Sequence, residues 1–126
     1  MDIIISNSSP IALYEQIENQ LKSQILNGKL KPGDPLPSIR TLARELKVSI
    51  ITSKRAYEEL EKDGFIQTVV GKGTFVSGAN SERLKEAAMA EMESKLEELI
   101  ISAKSLGLSL EECIEIFKSI ESVKLI

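Results

Sequence analysis

Apolar positions Leu13, Tyr14, Ile17, Leu21, Ile25 and Leu26 recur at helical spacing, and Asn27-Gly28 supplies the left-handed stop that ends such a helix. The next stretch, KLKPGDPLPS, holds three prolines and a glycine, so it runs as a turn and an extended connector to Ser38. From Ser38, a suitable N-cap, Ile39, Leu42, Ala43 and Leu46 form one face of a helix of about nine residues. After Lys47-Val48-Ser49 a helix of about fourteen residues carries Ser53, Ala56, Tyr57 and Leu60 inward and closes at Gly64. A short helix, a turn of about three residues and a longer helix match the helix-turn-helix in length and turn size, although a helical hairpin of any function has the same proportions.

The segment after Gly64 is more discriminating. Phe65, Ile66, Thr68, Val69 and then Thr74, Phe75, Val76 read as two short strands joined by residues 70–73. Gly71-Lys72-Gly73 in that joint could cradle a phosphate or simply turn a hairpin. A nucleotide-binding loop needs a strand before it and a helix after it, with the G-x-x-x-x-G-K-[ST] pattern; here the glycines stand between two strands and the pattern is missing. The hairpin reading gives a winged helix-turn-helix over residues 1–78.

Residues 79–126 change character. Leu84, Ala88, Met92, Leu96, Leu99, Ala103 and Leu106 succeed one another at steps of three or four, along a helix of about 37 Å at roughly 1.5 Å per residue. Leu106-Gly107 ends it, Ser109 with Glu112 forms a capping-box signature, and Leu110, Cys113, Ile114, Phe117 and Ile120 stripe a last helix. Two amphipathic helices bury little surface alone, so the stripes meet the winged domain, each other, or a second copy. The expected outcome is a two-fold dimer with Leu84, Ala88, Met92, Leu96, Leu99, Ile114 and Phe117 at its interface; the alternative is packing on the N-terminal core. The expected class is therefore mainly α with a small β-hairpin: a winged helix-turn-helix followed by a two-helix dimerisation appendage.

Composition narrows the chemistry. With 126 residues, 42% hydrophobic and 28% charged, no apolar run long enough to span a membrane, and no basic secretory leader, the chain reads as a small soluble protein, cytoplasmic by default. It has one cysteine, Cys113, and no histidine, which removes disulfides within the chain, zinc-finger ligation, and Cys/His or Ser/His catalysis. No cofactor and no metal are expected. The net charge of −3 conceals an asymmetry: residues 1–78 carry 10 Lys/Arg against 9 Asp/Glu, whereas residues 79–126 carry 6 against 10. Lys29, Lys31, Arg40, Arg44, Lys47, Lys54 and Arg55 make residues 29–55 basic, as in a module that meets phosphates, although a solvated charged face has the same composition.

Leu13 to Val76 resembles the winged helix-turn-helix domain of the GntR family of bacterial transcription regulators. The resemblance is carried by L-Y-E-Q-I, then G-x-L-K-P-G-D-x-L-P-S-x-R-x-L-A, A-Y-E-E-L-E-x-D-G-F-I and G-K-G-T-F-V, and it covers about half the chain. A tail this short is similar to that of the YtrA subfamily, whose tails dimerise and whose members are often encoded beside transport ATPases. The resemblance implies a dimeric, sequence-specific repressor without enzymatic activity, bound to a palindromic operator in double-stranded DNA; a winged helix that docks an acidic protein partner is the alternative. Arg40 matches the family's DNA-contacting arginine in L-P-S-x-R. The candidate DNA-binding residues are Ser38, Arg40, Arg44, Ser49, Ile50, Ile51, Thr52, Lys54 and Arg55, with Gly71, Lys72 and Gly73 as the tip of the wing. Many family members carry an arginine or proline and then a polar residue where this chain has Ile50 and Ile51. Apolar contact with thymine methyls would account for the pair, and partial packing of Ile51 into the turn is the alternative. Cys113, on an apolar stripe, reads as a core residue. The sequence names no effector.

Overall fold

The structure, a computed structural model, describes residues 2–78 and 81–124. Its elements run α1 (Leu13–Leu26), β1 (Pro35–Leu36), α2 (Ile39–Leu46), α3 (Ile50–Lys62), β2 (Ile66–Val69), β3 (Gly73–Val76), α4 (Ser81–Ser105) and α5 (Leu110–Lys124). They divide into two compact units, Met1–Lys85 and Glu86–Ile126. The boundary expected between residues 78 and 79 borders residues 79–80, which lie outside the described part. The first turn of α4 belongs to the N-terminal unit, where Leu84 packs half-buried on its core.

Ile17 and Leu21 of α1, Leu42 of α2, Leu60 of α3 and Val76 of β3 are fully buried in that core, beside Tyr57, Phe65 and Ile66. The helix ends obey the local chemistry. Ser38 and Ser49 accept hydrogen bonds from the backbone N–H groups of Thr41 (3.1 Å) and Thr52 (3.0 Å). Gly64 adopts a positive φ of 86°, and Phe65 N–H reaches back to the carbonyl of Leu60 (2.9 Å), which stops α3 and turns the chain into β2.

The sheet has three strands, in the order β1-β3-β2, where the sequence pattern gives two. Pro35 and Leu36 of the proline-rich connector lie opposite Phe75 and Thr74. Proline has no N–H to offer a ladder, but an edge strand tolerates that, and flanking bonds between Gly33 N–H and the Val76 carbonyl and between Val76 N–H and the Asp34 carbonyl (both 2.9 Å) secure the edge. The connector is thereby fixed to the wing, and it leads directly into Ser38 and Arg40.

Residues 2–6 form a further strap along α1. Gln16 and Gln20 use their side-chain amides as a strand would use its backbone: each accepts an N–H and donates to a carbonyl of the same strap residue, Ser6 (both 2.9 Å) and Ile4 (2.8 and 2.7 Å) respectively. Gln24 donates to the Asp2 carbonyl (2.7 Å). Ile3 and Ile5, on the other face of the strap, pack on the core.

Helix α4 runs for 25 residues, from Glu86 onward within the C-terminal unit, and is joined through Gly107 to α5, of 15 residues. The expected capping box is complete: Ser109 N–H donates to Glu112 Oε1 and Glu112 N–H to Ser109 Oγ, both at 3.1 Å.

Candidate nucleic-acid interface

Three elements of the N-terminal unit meet at one open cleft of about 620 Å³, lined by Ser38 and Arg40 at the start of α2, Lys54, Tyr57, Glu58 and Glu61 along α3, and Thr68, Lys72, Gly73 and Thr74 of the wing. Of the residues singled out from sequence, Ser38, Arg40, Lys54, Lys72 and Gly73 therefore come together. Arg44, Ser49, Ile50, Ile51, Thr52, Arg55 and Gly71 lie outside this lining. Arg44, Ser49, Ile50 and Ile51 are exposed, Ile51 at 80%.

Tyr57 holds the cleft together. Its ring is buried in the core and its hydroxyl donates to the Pro37 carbonyl (2.7 Å), so the connector leading into Ser38 and Arg40 is tied to α3. Burial pushes the phenol pKa well above its ordinary value, and the carboxylate of Glu45 adds to the rise.

The two helix starts have an electrostatic peculiarity. In both, the cap serine also donates its own O–H to the threonine three residues on, Ser38 to Thr41 (2.9 Å) and Ser49 to Thr52 (2.8 Å). That threonine stands where a capping box carries Glu or Gln, as Glu112 does in α5. Neither α2 nor α3 has an acidic residue in its first turn, whereas α1, α4 and α5 each do. The α2 start, which lines the cleft, and the α3 start thus carry no carboxylate of their own against the positive end of the helix dipole, which suits an anion.

At the wing tip, Lys72 N–H donates to the Val69 carbonyl (2.9 Å), closing a turn in which Gly71 takes a φ of 79°. A side chain at Gly71 would meet no atom within 4 Å, so glycine is required there by the backbone and not by crowding. The turn holds Lys72 out into solvent beside the cleft.

Two charged lining residues are not among those singled out from sequence. Glu58 and Glu61 continue the Lys54 face at helical spacing; Glu58 approaches Lys54 at 3.8 Å, and Glu61 accepts the Thr68 N–H at 2.8 Å, joining α3 to β2. Spacing alone places them on this face, but the bond to the wing depends on the fold. Arg55 behaves differently from Lys54. Its guanidinium stacks on the Tyr14 ring of α1, 4.1 Å from the ring centroid.

A helix-turn-helix of this geometry, with a wing beside its second helix and cations from three elements around one cleft, defines a winged helix-turn-helix of the nucleic-acid-binding type. Residues 13–76 match the model of the gntR family of bacterial regulatory proteins, and the chain belongs to that family. It is 40% identical over 120 residues to the HTH-type transcriptional repressor YtrA of Bacillus subtilis (strain 168), an alignment covering 95% of this chain and 92% of YtrA. Among solved structures it is similar to a transcriptional antiterminator from Listeria monocytogenes EGD-e, with a TM-score of 0.77 and 33% identity over 96% of this chain and 90% of the other. The DNA-binding domain of AraR in complex with operator ORX1 matches with a TM-score of 0.54 and 26% identity, over 61% of this chain and 96% of that domain.

Proposed function

We propose that this chain is a cytoplasmic DNA-binding transcriptional regulator without enzymatic activity, a homodimer that represses from a palindromic operator. The observation that carries the reading is the convergence of Arg40, Lys54 and Lys72, from three elements, on one open cleft that also takes in the start of α2, a first turn without an acidic residue. A helix-turn-helix sets the first turn of its second helix against base edges while flanking groups grip phosphates. In this arrangement Arg40 reads or clamps at the start of α2, α3 enters the major groove, and Lys72 holds the backbone where the wing approaches. The similarity to the AraR domain complexed with its operator, and to a repressor along nearly the whole chain, supports the same assignment.

The homodimer rests on the C-terminal unit. Leu96, Leu99, Ile100, Leu106, Ile114, Phe117 and Ile120 leave a groove of about 460 Å³ between α4 and α5 and are 42% to 75% exposed. Helices bearing such stripes gain their stability from packing, and a second copy offers the matching stripes and the two-fold symmetry of a palindrome.

The test is a mobility shift with duplexes selected from a random pool, repeated across salt. Affinity should fall steeply, with a logarithmic slope of about −0.9 for each phosphate neutralised. A salt-independent shift, or no duplex recovered from the pool, would exclude the assignment in favour of a winged helix for protein partners; an Arg40→Ala variant binding as tightly as the parent would remove Arg40 from the interface.

A further inference from the structure

The first turn of α3 is unusual for a surface that reads bases by hydrogen bonding. Ile51 is 80% exposed and Ile50 49% exposed, although both belong to a helix whose inward face is already filled by Ser53, Ala56, Tyr57 and Leu60. The Ser49 hydroxyl at the head of this turn is committed to the cap: it accepts the Thr52 N–H (3.0 Å) and donates to Thr52 Oγ1 (2.8 Å). What this turn offers a groove is therefore chiefly two branched hydrocarbon side chains. The base edges of the major groove present one apolar group, the C5-methyl of thymine, alongside donors and acceptors that an isoleucine leaves unsatisfied.

We infer that Ile50 and Ile51 are specificity-determining residues that select thymine by its C5-methyl group, so that each operator half-site carries thymine beneath the start of α3. The inference rests on the DNA-binding reading above. The alternative occupant of the isoleucines, a second copy of this chain, is separated by the same experiment. Two isoleucines on the solvent face of a capped, fully formed helix are not needed to fold it, since the core is complete without them.

The experiment compares a duplex selected from a random pool with the same duplex in which every thymine is replaced by deoxyuridine, using the full chain and the double variant Ile50→Ala/Ile51→Ala, and sediments both proteins without DNA to read self-association. Removing the methyls should weaken the parent by about four-fold for each methyl covered, the factor for burying one methyl-sized group. The double variant should bind the thymine duplex more weakly and discriminate between the two duplexes by a factor near one. Equal affinity of the parent for both duplexes overturns the inference and leaves the DNA-binding reading intact. So does discrimination that persists in the double variant, which would assign the preference to duplex shape. A double variant that keeps its duplex affinity but loses self-association overturns it in favour of the second copy. Failure of the parent to bind any duplex overturns both readings together.

Discussion

The guanidinium of Arg55 lies 4.1 Å from the centroid of the Tyr14 ring, so that a cation on the second helix of the helix-turn-helix is stacked against α1. Lys54, its neighbour, lines the cleft and has only an exposed partner, Glu58 at 3.8 Å, which it can leave at little cost. The two adjacent cations are therefore expected to differ in kind. Arg55→Ala should lower stability by roughly 0.5 to 1 kcal/mol, the worth of an exposed cation–π contact, and reduce duplex affinity less than Lys54→Ala does. Tyr14→Leu should produce the same loss, and the Tyr14→Leu/Arg55→Ala pair less than the sum. Urea denaturation of the four proteins checks this; additive losses would show that the stack contributes nothing.

The threonine bonded to the Ser38 cap separates binding from folding. Thr41→Glu turns the Ser38 cap into a full capping box at a position where a carboxylate also suits the helix dipole, so α2 should keep its stability or gain a few tenths of a kcal/mol. The same carboxylate sits one residue from Arg40 at the mouth of the cleft and repels phosphate. Affinity for a selected duplex at moderate salt should drop about ten-fold or more, the size of one lost charge-assisted contact. A variant that melts as the parent does yet binds equally well would remove the α2 start from the interface.

Tyr57 predicts an alkaline weakness. An unfolded tyrosine ionises near pH 10, and burial raises the folded phenol above that, with Glu45 contributing. Above about pH 10 the unfolded state therefore binds fewer protons than the folded one, and stability falls as pH rises. The contribution is fully present below the unfolded value. Tyr57→Phe should cost about 1 kcal/mol at pH 7, through loss of the 2.7 Å bond to the Pro37 carbonyl, and should flatten the decline above pH 10. Denaturation midpoints at pH 7, 9 and 10.5 decide; parallel curves for the two proteins would assign the alkaline loss to other groups.

Much of this molecule was legible because its signals are local. Helix stripes, the Ser38, Ser49 and Ser109 caps, the glycine stops and the Gly71-Lys72-Gly73 turn each lie within a few residues of the structure they cause. The features that escaped depend on partners distant in sequence. β1 is two residues long and includes a proline, too short for any alternation to declare it, and exists because β3 lies alongside. Gln16, Gln20 and Gln24 repeat every four residues like any solvent-facing polar stripe until residues 2–6 are laid over them. The turn between α2 and α3 was legible, but the left-handed φ of 57° that Lys47 holds in it was not, since that conformation is ordinarily announced by glycine. Leu84 continues the stripe of α4 in sequence and packs on the N-terminal core in the fold.

The glutamine strap is itself testable. Gln20→Glu keeps an acceptor for the Ile4 N–H but turns the donor facing the Ile4 carbonyl into a second oxygen, so both oxygens face a backbone that needs one of each. The variant should lose about 1 kcal/mol, and the Ile4 amide should exchange with solvent markedly faster while amides in α3 stay protected. Unchanged exchange at Ile4 would mean that Ile3 and Ile5 hold the strap through packing alone.

The groove between α4 and α5 supplies the remaining expectation. Leu99 is 63% exposed and Phe117 61% exposed, and both lie on stripes that no other described residue covers to burial. A carboxylate at either position would be solvated in a monomer but desolvated in a dimer joined through this groove, at a cost of several kcal/mol. Leu99→Glu and Phe117→Glu should therefore sediment as monomers at concentrations where the parent is dimeric, while the N-terminal unit retains its thermal transition. Their affinity for a palindromic duplex should fall towards that of the parent for a single half-site, because two linked sites bind far more tightly than one. If both variants remain dimeric and bind the palindrome as the parent does, the groove is not the dimer contact, and the symmetry of the regulator must come from the N-terminal unit.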